Sequence, residues 1–165
     1  MVTFDINSLD HSVFMRAALD EAELAGKAGE LPIGAVIVHN GQIVATGRAR
    51  HVARASDLAH AEMNTLLSAE RYLNEHARDG CVIYVNVEPC VMCLGAIVMS
   101  NIRHIVYGLE DKWIKPSGMM SMEYVRRHVE SYLGGVMAEA SVDLFKRFRP
   151  RDLAIMQEAN WPGSP

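Results

Sequence analysis

Apolar residues recur at helical spacing behind Asp10 and Ser12, at Val13, Phe14, Ala17, Leu24 and Ala25. This pattern predicts a first helix that closes near Gly26 or Gly29. Leu31 to Val38 then reads as a strand. Asn40-Gly41 is a strong two-residue hairpin signal, with Gln42 to Thr46 as the return strand. Gly47 to Ser56 reads as a loop. A helix from about Leu58 follows, carrying His60 and Glu62 in its first turn. Cys81 to Val87 is a short β-branched run of the kind that forms a buried strand. Pro89 suits the first position of another helix, in which Cys90 and Cys93 share one face. His104 to Tyr107 reads as a strand, Leu109 to Met120 as a long loop, and Ser121 to Tyr132 as a helix broken by Gly134-Gly135. Val136 to Glu139 is the candidate last strand. Ser141 to Asn160 reads as one or two helices interrupted at Pro150. A hairpin followed by alternating helices and strands predicts a three-layer α/β/α sandwich around a mixed five-stranded sheet.

Composition narrows the picture only a little. A chain of 165 residues, half of them apolar, is read as one domain over residues 1–165. A net charge of −4 and a pI near 6.0 are not the profile of a nucleic-acid binder. Three cysteines are too few and too odd for a disulfide framework, which points to a reducing compartment. The start, Met1-Val2-Thr3-Phe4-Asp5, lacks the basic and apolar regions of a signal peptide, and no apolar run is long enough to span a bilayer. The expected location is the cytoplasm, with no membrane partner.

The chemistry concentrates in two fragments, His60-Ala61-Glu62 and Pro89-Cys90-Val91-Met92-Cys93. One imidazole and two thiolates make three zinc ligands, which leaves a fourth position for water, as a catalytic zinc site requires. Both fragments fall at predicted helix N-termini, where partial positive charge favours thiolate over thiol. Zinc lowers the pKa of a water to about 7, and Glu62 is then left over as a proton carrier. A lone C-x-x-C also occurs in redox pairs and structural zinc sites, and a non-catalytic zinc-stabilised interaction domain is the alternative from a different class. Cys81 reads as a core residue rather than a further ligand, because a fourth protein ligand would close the water position. His39 reads as a surface residue. Met92, Met99, Met119, Met120 and Met122 read as core or gap filler, and Trp113 as core or a platform for a planar ring.

The pattern H-x-E…P-C-x-x-C is similar to that of zinc-dependent nucleobase deaminases. From Leu31 to Leu109 the chain resembles the cytidine-deaminase-like superfamily. The branch it resembles holds tRNA adenosine, guanine and fungal-type cytosine deaminases. Pro32-Ile33-Gly34-Ala35, Glu88, Gly95-Ala96-Ile97 and Ile105-Val106-Tyr107-Gly108 carry the likeness along with the two fragments. The resemblance implies one Zn2+ per chain on His60, Cys90 and Cys93, with Glu62 as proton shuttle. It also implies a backbone contact to the substrate around Ala61 or Cys90, and a homodimer. Glu88 resembles the adenosine- and guanine-acting members. Where relatives carry a base-binding Asn, this chain has Ala49, so Arg48, Arg50 or His51 are candidates for that contact.

The lead expectation for substrate is a free nucleobase or related small heterocyclic amine, hydrolysed with release of ammonia. The alternative is the wobble adenosine of tRNA. It is favoured by chain length, by Glu88, and by Lys146, Arg147, Arg149 and Arg151 around Phe145 and Phe148. Residues 151–165 are a candidate lid, with Ile155, Met156 and Trp161 placed to close over a flat ring.

Overall fold

The structure, a computed structural model, describes residues 4–159. A 3-10 turn at Ile6–Ser8 leads into α1 (His11–Lys27). The Asp10 carboxylate caps α1 by accepting from the Ser12 N–H at 3.1 Å. β1 (Gly34–His39) and β2 (Gln42–Arg48) form the expected hairpin. Asn40 and Gly41 take φ of 50° and 76°, the two left-handed positions that a tight primed turn demands. A short helix, α2 (His51–Arg54), occupies the predicted loop, and the Glu30 carboxylate accepts from the Val52 and Ala53 N–H groups at its start. There follow α3 (Ala61–Glu75), β3 (Cys81–Val87), α4 (Val91–Met99), β4 (His104–Leu109), α5 (Glu123–His128), β5 (Ser131–Leu133), α6 (Ala138–Phe148) and α7 (Pro150–Glu158).

The sheet order is β2-β1-β3-β4-β5. β1 pairs antiparallel with both β2 and β3, while β3, β4 and β5 run parallel. Alternation along the strands sorts side chains onto two faces. Ile37, Ile83 and Ile105 meet Leu66, Ala69 and Leu73 of α3 and Leu94, Ile97 and Val98 of α4. Val36, Val38, Val82, Tyr84 and Val106 meet Met15, Ala18 and Leu19 of α1, with α6 beside them. Every residue of β1 and β3 is buried, as strands covered on both faces require. This is the three-layer mixed-sheet architecture expected. Gly47 seats α3 on the sheet, because a side chain there would run into Thr65 Oγ1 and the α3 backbone. Asn86 ties β3 to the approach of β1, accepting from the Gly34 N–H at 2.9 Å and donating to the Pro32 carbonyl at 3.0 Å. No helix among the described residues is long and apolar enough to cross a membrane.

The last strand is a correction. It lies at Ser131–Leu133, before Gly134-Gly135, and Val136 to Glu139 is not a strand. The helix expected over Ser121 to Tyr132 is only Glu123–His128, after which Val129 is extended. Backbone bonds from Glu130 and Ser131 to the Arg103 carbonyl then draw the chain into register beside β4. The glycine pair therefore ends a strand rather than a helix, and Met137 at φ 53° starts α6. His39 is also not at the surface. It is 8 % exposed and bonds to the Tyr72 hydroxyl at 2.8 Å and the Asp79 carbonyl at 3.1 Å. Met99 and Met122 are exposed rather than core.

Candidate metal centre and pocket

Two helix starts meet behind the ends of β1 and β3. His60 is the N-cap of α3 and Cys90 the N-cap of α4, both with extended backbone. Pro89 thus stands one position before the cap. Neither side chain caps its own helix. They turn toward each other instead, so that Cys90 Sγ lies 3.6 Å and Cys93 Sγ 3.5 Å from His60 Nδ1. The three ligand atoms all lie within 4.8 Å of one another. Tetrahedral zinc, with bonds of about 2.3 Å to sulfur and 2.0–2.1 Å to nitrogen, separates those two ligand types by about 3.5 Å. The donor set and its spacing therefore fit zinc.

The electrostatics point the same way. A hydrogen bond from Cys93 draws the Cys90 thiol down to about 4, against burial and with help from His60. The same hydrogen bond, together with burial, pushes Cys93 up. Its contact with Cys90 raises His60 against burial, and the backbone of Asp57 adds to that. A cation among these atoms favours both sulfurs as thiolates. Glu62, in the first turn of α3, is 3 % exposed, and burial holds its carboxyl up at about 7, with Cys90 adding to the effect. A buried carboxyl that changes protonation near neutrality suits proton transfer.

A cavity of about 190 Å³ opens onto His60, Glu62 and Cys90. This is below the ~300–1,000 Å³ of pockets for drug-sized ligands, so a single planar ring system is the natural occupant. Leu31, Ile33, Val87 and Phe145 wall it, and Ile114 closes one side. Asp152, Ile155 and Met156 of α7 line another.

Glu88 lines the pocket but has both oxygens engaged. Oε1 accepts from the Tyr132 hydroxyl at 2.7 Å and Oε2 from the Asp111 N–H at 3.0 Å. Burial raises its carboxyl above the usual range. It therefore braces β5 and the loop after β4.

Ala61 is the first residue of α3, buried, with its N–H at an end that lacks intrahelical acceptors. Three other candidates do not reach the pocket lining. Arg48 pairs with Glu21 of α1 at 2.9 Å. Arg50 is exposed ahead of α2. Trp113 is not among the lining residues, and Ile114 lines the pocket instead, on a turn in which the Asp111 carboxylate accepts from the backbone N–H groups of both. Trp161 lies outside the described residues. Ala49 is buried and holds the hairpin by donating to the Ile33 carbonyl at 3.0 Å. His51 packs edge-on against the His60 ring at 4.8 Å. Cys81 is core, its thiol pushed up to about 11 by burial. Asp111, Ile114 and Phe145 had no signal as pocket residues, since each comes from a loop or helix distant in sequence.

Comparison with known proteins agrees with this geometry. The sequence model of the cytidine and deoxycytidylate deaminase zinc-binding region matches residues 8–109. The tRNA-specific adenosine deaminase of Bacillus subtilis (strain 168) is 34 % identical over 139 residues, 82 % of this chain and 86 % of that protein. The enzyme of the same name from Aquifex aeolicus (strain VF5) is 38 % identical over 109 residues, 66 % of this chain and 71 % of that one. Among solved structures, one from a study of A-to-I editing by tRNA:A34 deaminases superposes with a TM-score of 0.72 at 31 % identity. It covers 81 % of this chain and 99 % of the other. A Bacillus subtilis guanine deaminase gives 0.58 at 32 %, over 68 % of this chain and 71 % of that one. The converging His60, Cys90 and Cys93, the buried Glu62 and the matched region lead to one conclusion: this chain belongs to the cytidine and deoxycytidylate deaminase zinc-binding family, as a zinc-dependent deaminase.

Proposed function

We propose that the substrate is an adenosine in tRNA, deaminated to inosine with release of ammonia. The observation that carries this reading is the likeness to tRNA-specific adenosine deaminases, which runs through most of the chain and past the metal centre. Zinc, when bound, supplies a water acidified to about pKa 7. His60, Cys90 and Cys93 hold the ion. The pocket takes one ring and excludes water around it, so the target nucleotide has to leave its stack while its neighbours stay outside. Glu62 takes the two protons of the attacking water in turn, passing one to the ring nitrogen and the other to the departing amine.

The discriminating assay is inosine and ammonia formation on an anticodon stem-loop RNA, against adenosine and free bases. Turnover of the RNA at least about tenfold more efficient than of the free bases is expected. Affinity should weaken as salt rises.

A free aminopurine is the second reading, and the C-terminal segment favours it. Lys146 pairs with Asp143, Arg147 with Glu23, and Arg149 donates to the Gly29 carbonyl, so most of the basic tail is already engaged. Phe145 is fully buried in the pocket wall and offers no outer platform to the nucleotides that flank the target. Preferential release of ammonia from free aminopurines would replace the tRNA reading with this one.

A homodimer is part of the same proposal. Leu67 and Met99 are 60 % and 68 % exposed on a groove between α3 and α4 that runs toward the C-terminal ends of both helices. Exposed apolar side chains rimmed by Glu70, Asn74 and Arg78 suit a second copy. Light scattering at micromolar concentration should give twice the 18.3 kDa of the chain, and a monomer there removes the claim.

A further inference from the structure

The polar groups that line the pocket are His60, Cys90 and four carboxyls, with no lysine, arginine, amide or hydroxyl side chain among them. Three of the carboxyls are accounted for. Glu62 sits against the thiols. Glu88 is held by Tyr132 and the Asp111 N–H, and Asp111 by the N–H groups of Trp113 and Ile114. Asp152 is different. It is half-buried, faces the pocket, and has no hydrogen bond or ion pair among the described residues.

Asp152 also stands on a firmly fixed element. Pro150 opens α7, and Leu153 and Met156 are buried against Val87, Leu109, Val142 and Phe145. The Met156 carbonyl accepts from the Lys112 N–H at 3.0 Å, and Arg149 anchors the helix start to Gly29 at 2.6 Å. An acceptor held rigidly at the rim of a small apolar pocket selects ligands that bring a donor to it. It also disfavours a phosphate, which no lining cation would balance.

We propose that Asp152 is a specificity-determining residue. It accepts a hydrogen bond from a polarised O–H or N–H of the substrate. The assignment rests on the deaminase reading of the pocket. Two groups share the required chemistry: a ribose 2′-hydroxyl of a nucleoside, and a 2-amino N–H of a free purine.

The test uses the full zinc-loaded chain and compares wild type with Asp152→Ala and Asp152→Asn. Substrates form two matched pairs. One is the stem-loop RNA against the same RNA with a 2′-deoxy target nucleotide. The other is 2,6-diaminopurine against adenine, which lacks the 2-amino group. On whichever pair wild type turns over better, Asp152→Ala should lower kcat/KM for the donor-bearing member about 10- to 100-fold, and for the donor-less member by less than about threefold. Asp152→Asn, which keeps a carbonyl acceptor, should fall between. A selective loss confined to the RNA pair identifies the ribose hydroxyl. A selective loss on 2,6-diaminopurine, with RNA the poorer substrate, identifies the 2-amino donor and ends the tRNA reading while keeping the role of Asp152. Equal kcat/KM in variant and wild type, or an equal loss on both members of the pair, overturns the proposal, because a structural role in the first turn of α7 cannot tell the two members apart.

Discussion

Glu62→Gln should leave zinc content and fold unchanged and cut turnover by about 100- to 10,000-fold, the usual stake of a positioned general acid–base group. At about 1.4 kcal/mol per tenfold this is about 3–6 kcal/mol of barrier. The substitution keeps the volume and most of the polarity of a side chain that is only 3 % exposed, so packing has little reason to change. It removes the capacity to exchange a proton, which the buried carboxyl at about 7 has near neutral pH. The loss should appear in kcat rather than KM, since Glu62 acts on the proton and not on the bulk of the ring. Elemental analysis and thermal unfolding on the same preparation check the two invariant properties. Deamination within tenfold of wild type would assign the proton transfer to another group.

Cys90→Ser should lose the zinc, and with it all measurable turnover. The metal joins the starts of α3 and α4, elements separated by the whole of β3 and its flanking loops. Binding that favours the folded chain stabilises it by mass action, about 4 kcal/mol when free metal exceeds its dissociation constant a thousandfold. The midpoint of thermal unfolding should therefore fall in the variant, and fall in wild type when a chelator is added. Zinc content by elemental analysis should drop from about one per chain to a small fraction. Full occupancy in Cys90→Ser would remove Cys90 from the ligand set.

What could be read without coordinates divides along the reach of the interactions. The Asn40-Gly41 turn, the capping Asp10 and the β-branched run from Cys81 to Val87 are local signals, and each appears where it was expected. The metal set was legible because each half carries its own spacing, and only the meeting of two helix starts needed the fold. Ser131–Leu133 was missed because a three-residue strand has too little alternation to announce itself and is specified by bonds to Arg103 and β4. The pocket walls were legible only in part. Ile155 and Met156, expected near the ring, line the pocket, whereas Arg48, Arg50 and Trp113, expected as substrate contacts, are not among its lining residues. Arg48 is held by Glu21 of α1, a constraint that does not show in the spacing.

The two metal ligands that serve as N-caps carry an evolutionary consequence. Serine or aspartate at positions 60 and 90 would bond the free N–H groups of α3 and α4, an effect of about 1 kcal/mol per helix. Under chelation, then, Cys90→Ser should unfold at a temperature no lower than that of wild type, reversing the order seen with metal present. Holding a metal would be what keeps histidine and cysteine, the poorer capping residues, at these positions. A descendant of this chain released from catalysis would gain stability by drifting to serine or aspartate at just these two sites, and such a change in a related sequence marks a lineage that has given up the reaction while keeping the fold.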